Sequence, residues 1–215
     1  MPPRAGRTKS IQTLVDKAAS AACPFEAERL LGRALTMSHV RHDYEGMVDI
    51  LERLAEVRAA RRKTALASRA AIRIIDDAIP ETMEVERGRY LVQPPLVGAD
   101  ARRLRLLALA QDVPAMVICR EPTTQLGEIP IVAIGPQGSI RTKVAPYDAA
   151  KAPSAAWFRT ALDAIGAEAA SRMDTTHAPD RQLDFVLDLI DTLPEDARLH
   201  EIAITLCHEA AREAS

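Results

Sequence analysis

The apolar positions of the chain follow a helical period toward both ends and a strand period in the middle. Residues 11–35 place apolar side chains at the i, i+3, i+4, i+7 spacing of amphipathic helices, and residues 157–210 do so in three further stretches. Between them lie short apolar runs bounded by Pro and Gly, a pattern typical of strands. The pattern therefore predicts helices at both ends and a sheet between them.

A third helix is predicted to begin after Asp43, a residue whose carboxylate can accept hydrogen bonds from the first free N–H groups of a helix. Neither Gly nor Pro interrupts the chain from Met47 to Ile79. We therefore expect one long helix, or two nearly collinear ones, to run to about Asp77. Pro80 then ends it, because the residue before a proline is disfavoured in helical conformation.

The middle of the chain reads as strand, helix, strand. Arg89–Gln93 is a short strand candidate, residues 101–111 carry a helical apolar stripe, and Ala115–Cys119 is a compact apolar run of the kind that is covered on both faces. Such a βαβ unit implies a parallel pair of strands with a right-handed crossover. Ile131–Ile134 and Ser139–Val144 would add an antiparallel hairpin.

These elements predict an α+β fold that is mainly helical, with a small mixed sheet built from the βαβ unit and the hairpin. The joints near residues 78–88 and 145–154 are short, so we expect the parts to pack as one compact unit. The predicted segments are a helical hairpin with a long helix at 1–79, the βαβ-plus-hairpin at 80–150, and helices at 151–215.

One helical hairpin, at residues 24–59, carries a local resemblance to a known repeat. Residues 27–35 (AERLLGRAL) followed by residues 43–53 (DYEGMVDILER), with the pair Leu31-Gly32, resemble a single tetratricopeptide-type helix pair. No second copy follows at the period of about 34 residues that this repeat requires. The resemblance implies a helix pair with a role in protein interaction, and it implies no extended array.

Charge is distributed unevenly along the chain, although the net charge is only −2. Residues 1–73 carry 14 Lys/Arg against 8 Asp/Glu, and residues 74–215 carry 14 against 22. On the predicted long helix, four arginines would lie within about 60° of one face, namely Arg58, Arg62, Arg69 and Arg73. This basic face is a hypothesis for contact with nucleic acid or an acidic partner. The alternatives are a solvated face of a long helix and a surface that meets the protein's own acidic C-terminal helices.

A ligand site is most plausible at the carboxyl ends of the two parallel strands, where open α/β sheets bind small molecules. Two residues at the predicted helix N-terminus and three after the second strand would meet there: Gly98, Asp100, Arg120, Thr123 and Thr124. Free N–H groups, a guanidinium and two hydroxyls suit a small anion. The alternative is that Asp100 only caps the helix and that the threonines only shape a loop.

The sequence contains no recognisable motif for metal binding, nucleophilic catalysis or nucleotide binding. Three cysteines lie far apart, no histidine pair has the spacing of a zinc site, and no nucleophile or nucleotide-binding motif occurs. We therefore expect no metal and no cofactor, no run that crosses a membrane, and a cytoplasmic location. The leading hypothesis is a non-enzymatic interaction or scaffold protein that self-associates or captures a protein partner. Nucleic-acid binding and a small-anion or enzymatic site are the alternatives.

Overall fold

The computed structural model describes residues 4–148 and 151–214, and within them the chain forms seven helices and five strands. The helices are α1 Arg4–Ala19, α2 Pro24–His39, α3 Tyr44–Leu66, α4 Gly98–Ala110, α5 Ala155–Ser171, α6 Pro179–Thr192 and α7 Ala197–Glu213. The strands are β1 Arg73–Ile75, β2 Gly88–Val92, β3 Ala115–Arg120, β4 Ile129–Ile134 and β5 Ser139–Val144. The predicted fold class is confirmed: the protein is α+β, mainly helical, with one mixed sheet.

The five strands form a single sheet in the order β1-β2-β3-β4-β5. The first three strands are parallel, and β4 and β5 are antiparallel to their neighbours. Helix α4 makes the crossover between β2 and β3, as the βαβ pattern predicts. The carboxyl ends of β1, β2 and β3 therefore lie at one edge of the sheet.

The prediction of a helix that continues to about Asp77 is wrong. Helix α3 ends at Leu66, and Arg73–Ile75 forms the edge strand β1 beside β2. Three of the four residues from Ile72 to Ile75 are β-branched, which favours extended backbone, and pairing with β2 adds the hydrogen bonds that a lone helix end would lack. Absence of Gly and Pro was thus not sufficient to continue the helix.

The chain forms two compact units that cut across the three predicted segments. Unit 1 comprises residues 1–60, 174–187 and 197–215, and unit 2 comprises residues 61–173 and 188–196. The difference from the predicted segments arises because α6 divides between the units and α7 belongs with the N-terminal helices. Long helices thus carry the chain from one unit to the other.

Each unit has its own apolar core. In unit 1, α1, α2 and α3 bury Val15, Leu31, Ile50 and other aliphatic side chains against one another. In unit 2, the central strands pack against α4, whose inner face carries Leu104 at zero exposure. Burial of such side chains stabilises by about 1.5–3 kcal/mol each.

Candidate functional site

The arginines near the end of α3 are engaged with carboxylates of their own chain. In unit 1, Arg58 Nε donates to Glu28 Oε1 at 2.8 Å, and both side chains are largely buried. In unit 2, Arg62 donates to Asp163 Oδ1 at 2.9 Å and to the carbonyl oxygen of Glu195 at 3.2 Å. Much of the predicted basic face is therefore turned toward the protein's own acidic groups.

Arg61 makes the most deeply buried ion pair of this cluster. Its guanidinium donates to the Glu195 carboxylate, and the two side chains are 3% and 10% exposed. Removing both charges from water is costly, so the pair is stable only while both partners are present. The predicted stripe omitted this residue, which lies beside Arg62 in sequence.

Arg69 and Arg73 do not share a helix face with Arg58 and Arg62, because α3 ends before them. Arg69 is exposed in the connection from α3 to β1. Arg73 lies in β1, where it forms an ion pair with Glu86 and stacks over the Tyr90 ring at 5.4 Å from the centroid. The four arginines therefore form no continuous basic surface on one helix.

Folding also removes the charge asymmetry that the linear sequence shows. Unit 1 contains 12 Lys/Arg against 14 Asp/Glu, and unit 2 contains 16 of each. The basic first third and the acidic remainder are mixed within both units. The nearly balanced charge of each unit therefore gives no support for a long-range attraction between oppositely charged parts of two chains.

At the carboxyl edge of the sheet, one polar side chain from each parallel strand meets the next. Gln93, after β2, donates from Nε2 to Asp76 Oδ2 at 3.1 Å, and Asp76 follows β1. Arg120, at the end of β3, donates to Gln93 Oε1 from Nε at 3.1 Å and from Nη2 at 2.9 Å. This carboxylate–amide–guanidinium chain joins the three strand ends.

Most of the predicted ligand residues are occupied by local structure. The Asp100 carboxylate accepts from the Val97 N–H at 2.8 Å, which fixes the start of α4. The Thr124 hydroxyl accepts from the Glu128 N–H at 3.1 Å within the β3–β4 loop, where Thr123 is exposed. Arg120 is turned to Gln93. Of the five residues, Gly98 belongs to the lining of the cavity beside α4.

Gly98, in contrast, lines a cavity on the inner side of α4. A Cβ atom at this position would lie 2.8 Å from Ile134 Cδ1, so a larger residue would require the Ile134 side chain to move. The cavity has a volume of about 60 Å³. Its other walls come from β3, β4, α5 and the segment after α6.

The cavity lies where the sheet opens. Strands β3 and β4 pair through Cys119–Val132 and Arg120–Ile131. Beyond these pairs, Met116 and Val117 on β3 and Ala133 and Ile134 on β4 line the cavity. The lining is thus largely apolar where the sheet provides it.

Two arginines of α4 provide the cationic wall of the cavity. Arg102 and Arg105 lie three residues apart, so they flank the buried stripe of the helix on the same side. Arg105 donates from Nη1 to the carbonyl oxygen of Thr192 and from Nη2 to that of Asp191 at 3.2 Å. It thereby satisfies carbonyl groups at the C-terminus of α6, where helix carbonyls lack internal partners.

Arg102 is the second arginine of this wall. Its Nε atom is inaccessible to solvent and makes no hydrogen bond within the described residues. A buried guanidinium donor without an acceptor costs about 1–3 kcal/mol or more, because it has lost water and gained nothing in return.

The remaining polar groups at the cavity are held by other contacts. Glu195 lines it but pairs with Arg61. Thr192 lies against the turn after β4, where a Cβ atom on Gly135 would overlap its hydroxyl at 1.8 Å. Burial raises the pKa of the Cys119 thiol to about 12, helped by the charges of Glu121 and Asp100, so this group stays neutral at physiological pH.

The sequence reasoning missed Arg102, Arg105, Gln93 and Asp76. The arginine pair carries a usable signal, since two arginines at i, i+3 beside the stripe of Ala101 and Leu104 must border the buried face of the helix. No local sequence pattern predicts the hydrogen bonds of Gln93, because its partners come from two other strands. The approach of residues 192–195 to α4 is equally invisible in the sequence.

Metal chemistry and membrane insertion find no structural support in the described part of the chain. No group of three or more His, Cys, Asp or Glu side chains there is arranged to hold a metal ion. In the same residues, no helix combines the length and the apolar character needed to cross a bilayer. Comparison of the chain with protein-family models, with curated proteins and with solved structures gave no match.

Proposed function

We propose that this protein is a non-enzymatic binding protein whose unit 2 takes up a small anion in the cavity beside α4. The sequence predicts a small-anion site at the carboxyl edge of the sheet, whereas the site proposed here lies on the inner side of α4. The observation that carries the proposal is the side chain of Arg102, which belongs to the lining of the cavity and whose Nε atom has no acceptor within the described residues. An anion in the cavity would balance the charge of this guanidinium.

The cavity also has the physical character of a binding site. Ligand pockets combine mainly apolar walls with a few placed polar groups that fix orientation. Here Met116, Val117 and Ile134 supply apolar wall, and Arg102 supplies the charge. Arg105 keeps the segment after α6 in place as the remaining wall, through its bonds to two backbone carbonyls.

Thermal unfolding of the purified chain in a panel of small anions tests the proposal. Ionic strength is held constant with chloride, so that only specific binding raises the unfolding temperature. We expect at least one anion to stabilise the parent protein and to lose that effect in Arg102→Gln. The matched control is Arg103→Gln, which removes the same charge from the same helix.

Arg103 is suited to this control because its guanidinium lies outside the cavity and reaches Glu81 Oε1 at 3.3 Å, with half of the side chain exposed. Stabilisation that survives Arg102→Gln, or that disappears equally in Arg103→Gln, would show a general charge effect and remove the proposal. Absence of stabilisation by every anion in the panel would do the same.

A protein-interaction role is the second proposal, in which the protein self-associates or holds a partner through unit 1. It is supported by two exposed apolar side chains there, Val40 at 75% and Phe185 at 40% exposure. The tetratricopeptide-like character of α2 and α3 belongs to this proposal. Because the unit charges are nearly balanced, association driven by these side chains should persist as salt rises, which light scattering at low and high salt measures.

The cytoplasm is the compartment that we propose for both roles. Support comes from the three cysteines, which are free thiols in the structure. Two of them, Cys119 and Cys207, are buried, and burial raises the pKa of each to about 12. Reduced thiols are typical of proteins that are kept in a reducing compartment.

A further inference from the structure

We infer that the edge strand β1 is a dimerisation surface, on which β1 of a second copy of the chain pairs in antiparallel orientation. This contact lies in unit 2 and involves neither the cavity beside α4 nor the exposed apolar side chains of unit 1. Three features of β1 lead to it: the direction of its backbone groups, the apolar character of its edge, and the opposite charges at its two ends.

The backbone of β1 carries hydrogen-bonding groups that the sheet does not use. The Ile75 carbonyl oxygen accepts from the Gln93 N–H at 2.9 Å, so Ile75 directs its backbone groups toward β2. Successive residues of a strand direct these groups to opposite sides, so the N–H and C=O of Ile74 point away from β2. Because β1 is the end strand of the sheet, these two groups have no strand partner within the described residues.

The edge of β1 is not protected against a further strand. Edges that must stay unpaired often carry charged side chains or proline. At the opposite edge of the sheet, β5 presents the exposed charges of Arg141 and Lys143. In β1 the corresponding exposed side chain is Ile74, at 39% exposure, and residues 72–75 contain no proline. Of the two edge strands, β1 is therefore the one suited to pairing.

The charges that flank β1 favour a second copy as the partner. Arg69 precedes the strand and Asp77 follows it, and both are exposed without an ion pair in the described part of the chain. Antiparallel pairing of two copies places the start of each strand beside the end of the other. A two-fold axis at Ile74 then brings Arg69 of each copy within diagonal reach of Asp77 of the other. The charge order of this segment is thus complementary to itself.

The same axis brings no unbalanced like charges together within β1. Arg73 lies next to the axis, but Glu86 of its own chain forms an ion pair with it. One short strand from each copy gives an interface at the low end of known sizes. We therefore expect a weak dimer, with a dissociation constant on the order of 10–100 µM. Because its two ion pairs are exposed, the dimer should weaken as salt rises.

Sedimentation equilibrium of the full chain at about 10–500 µM measures this association. We expect a monomer–dimer equilibrium at about 50 mM salt, with a dissociation constant that rises at least about threefold at about 500 mM. Ile74→Pro removes an N–H that β2 does not use, so the monomer should stay folded, which circular dichroism checks. The variant should weaken the dimer at least about tenfold, since both central N–H groups are lost.

Reversal of single charges tests the antiparallel arrangement. Arg69→Glu alone and Asp77→Arg alone each place like charges at both ends of the contact, and we expect either to weaken the dimer at least about fivefold. An equimolar mixture of the two variants again places opposite charges at both ends, so it should associate as the parent does. The matched control is Arg159→Glu, which reverses a charge at an exposed position of α5 and should leave the dimer unchanged.

Three outcomes would overturn the inference. The first is a parent chain that stays monomeric over the whole concentration range at low salt. The second is a dimer that survives Ile74→Pro and both charge reversals, which would place the contact on another surface, such as the apolar side chains of unit 1. The third is a mixture of the two single variants that associates no better than each alone. None of these outcomes bears on the anion site, which Arg102→Gln tests separately.

Discussion

The end of α3 and the inner side of α4 are both rich in arginine, and the two regions use it in opposite ways. At the end of α3, Arg61 and Arg62 meet Glu195 and Asp163, so their charges are balanced within the protein. On α4, the Nε atom of Arg102 is buried and makes no hydrogen bond within the described residues. A run of like charges in sequence therefore says little about binding, because folding can pair those charges within the chain.

The contrast also explains why the denser cluster is the weaker candidate. A nucleic acid or acidic partner at α3 would have to displace carboxylates that are already in contact, and the exchange gains little. An anion beside Arg102 displaces no protein acceptor from that Nε atom.

The largest effect is expected where the buried pair at α3 is broken. Glu195→Gln leaves the guanidinium of Arg61 buried without its counter-charge, and we expect a loss of about 3–5 kcal/mol in unfolding free energy. Glu168→Gln is the control, because Glu168 pairs with Arg172 and both side chains are about one-third exposed. This variant should lose less than about 1 kcal/mol of unfolding free energy. Urea titration of both variants gives the comparison. Similar small losses would mean that Arg61 and Glu195 are solvated.

A smaller effect separates the two arginines of α4. In chloride buffer, Arg105→Met removes charge-assisted bonds to the carbonyls of Asp191 and Thr192, and we expect a loss of about 2–3 kcal/mol. Arg102→Met removes a buried donor that bonds to nothing described, so we expect no loss beyond about 0.5 kcal/mol, and a gain is consistent with the argument.

The same urea titration measures both variants. A loss of 2 kcal/mol or more in Arg102→Met would show that this side chain is needed for folding in the absence of any anion. In that case the unpaired Nε would carry no information about a ligand. A loss confined to Arg105→Met would sharpen the contrast between a structural and a ligand-directed arginine on one helix.

Much of the architecture could be predicted because local hydrophobic patterns determine most of its helices and strands. The run Ala115–Cys119, the helical stripe before it and the alternation in Ser139–Val144 identify the βαβ unit and the hairpin. Strand β1 was not recognised, since Ile72–Ile75 follows a helix with no Gly or Pro between them. Its extended form depends on pairing with β2, which is a tertiary contact.

The candidate site was much less accessible from the sequence, for a physical reason. Arg61 and Glu195 are 134 residues apart, and Arg105 and Thr192 are 87 residues apart. Whether an arginine is paired depends on such distant contacts. These contacts pair Arg61 and Arg62 with carboxylates and leave the Nε atom of Arg102 without an acceptor among the described residues. The predicted site residues Asp100 and Thr124 each accept a local backbone hydrogen bond, a contact that the sequence analysis had given as the alternative for Asp100.

The smallest effect is expected in nucleic-acid binding, where we predict none. Affinity for DNA or RNA falls with salt in proportion to the number of phosphates that Lys and Arg contact. Arg58, Arg62 and Arg73 are paired internally, so the folded chain should give no gel shift at about 50 mM salt, and the double variant Arg62→Glu plus Arg69→Glu should behave like the parent. A salt-dependent shift in the parent that Arg69→Glu alone abolishes would reverse the contrast. It would show that the exposed Arg69 beyond α3, rather than Arg102 on α4, is the residue that meets a ligand.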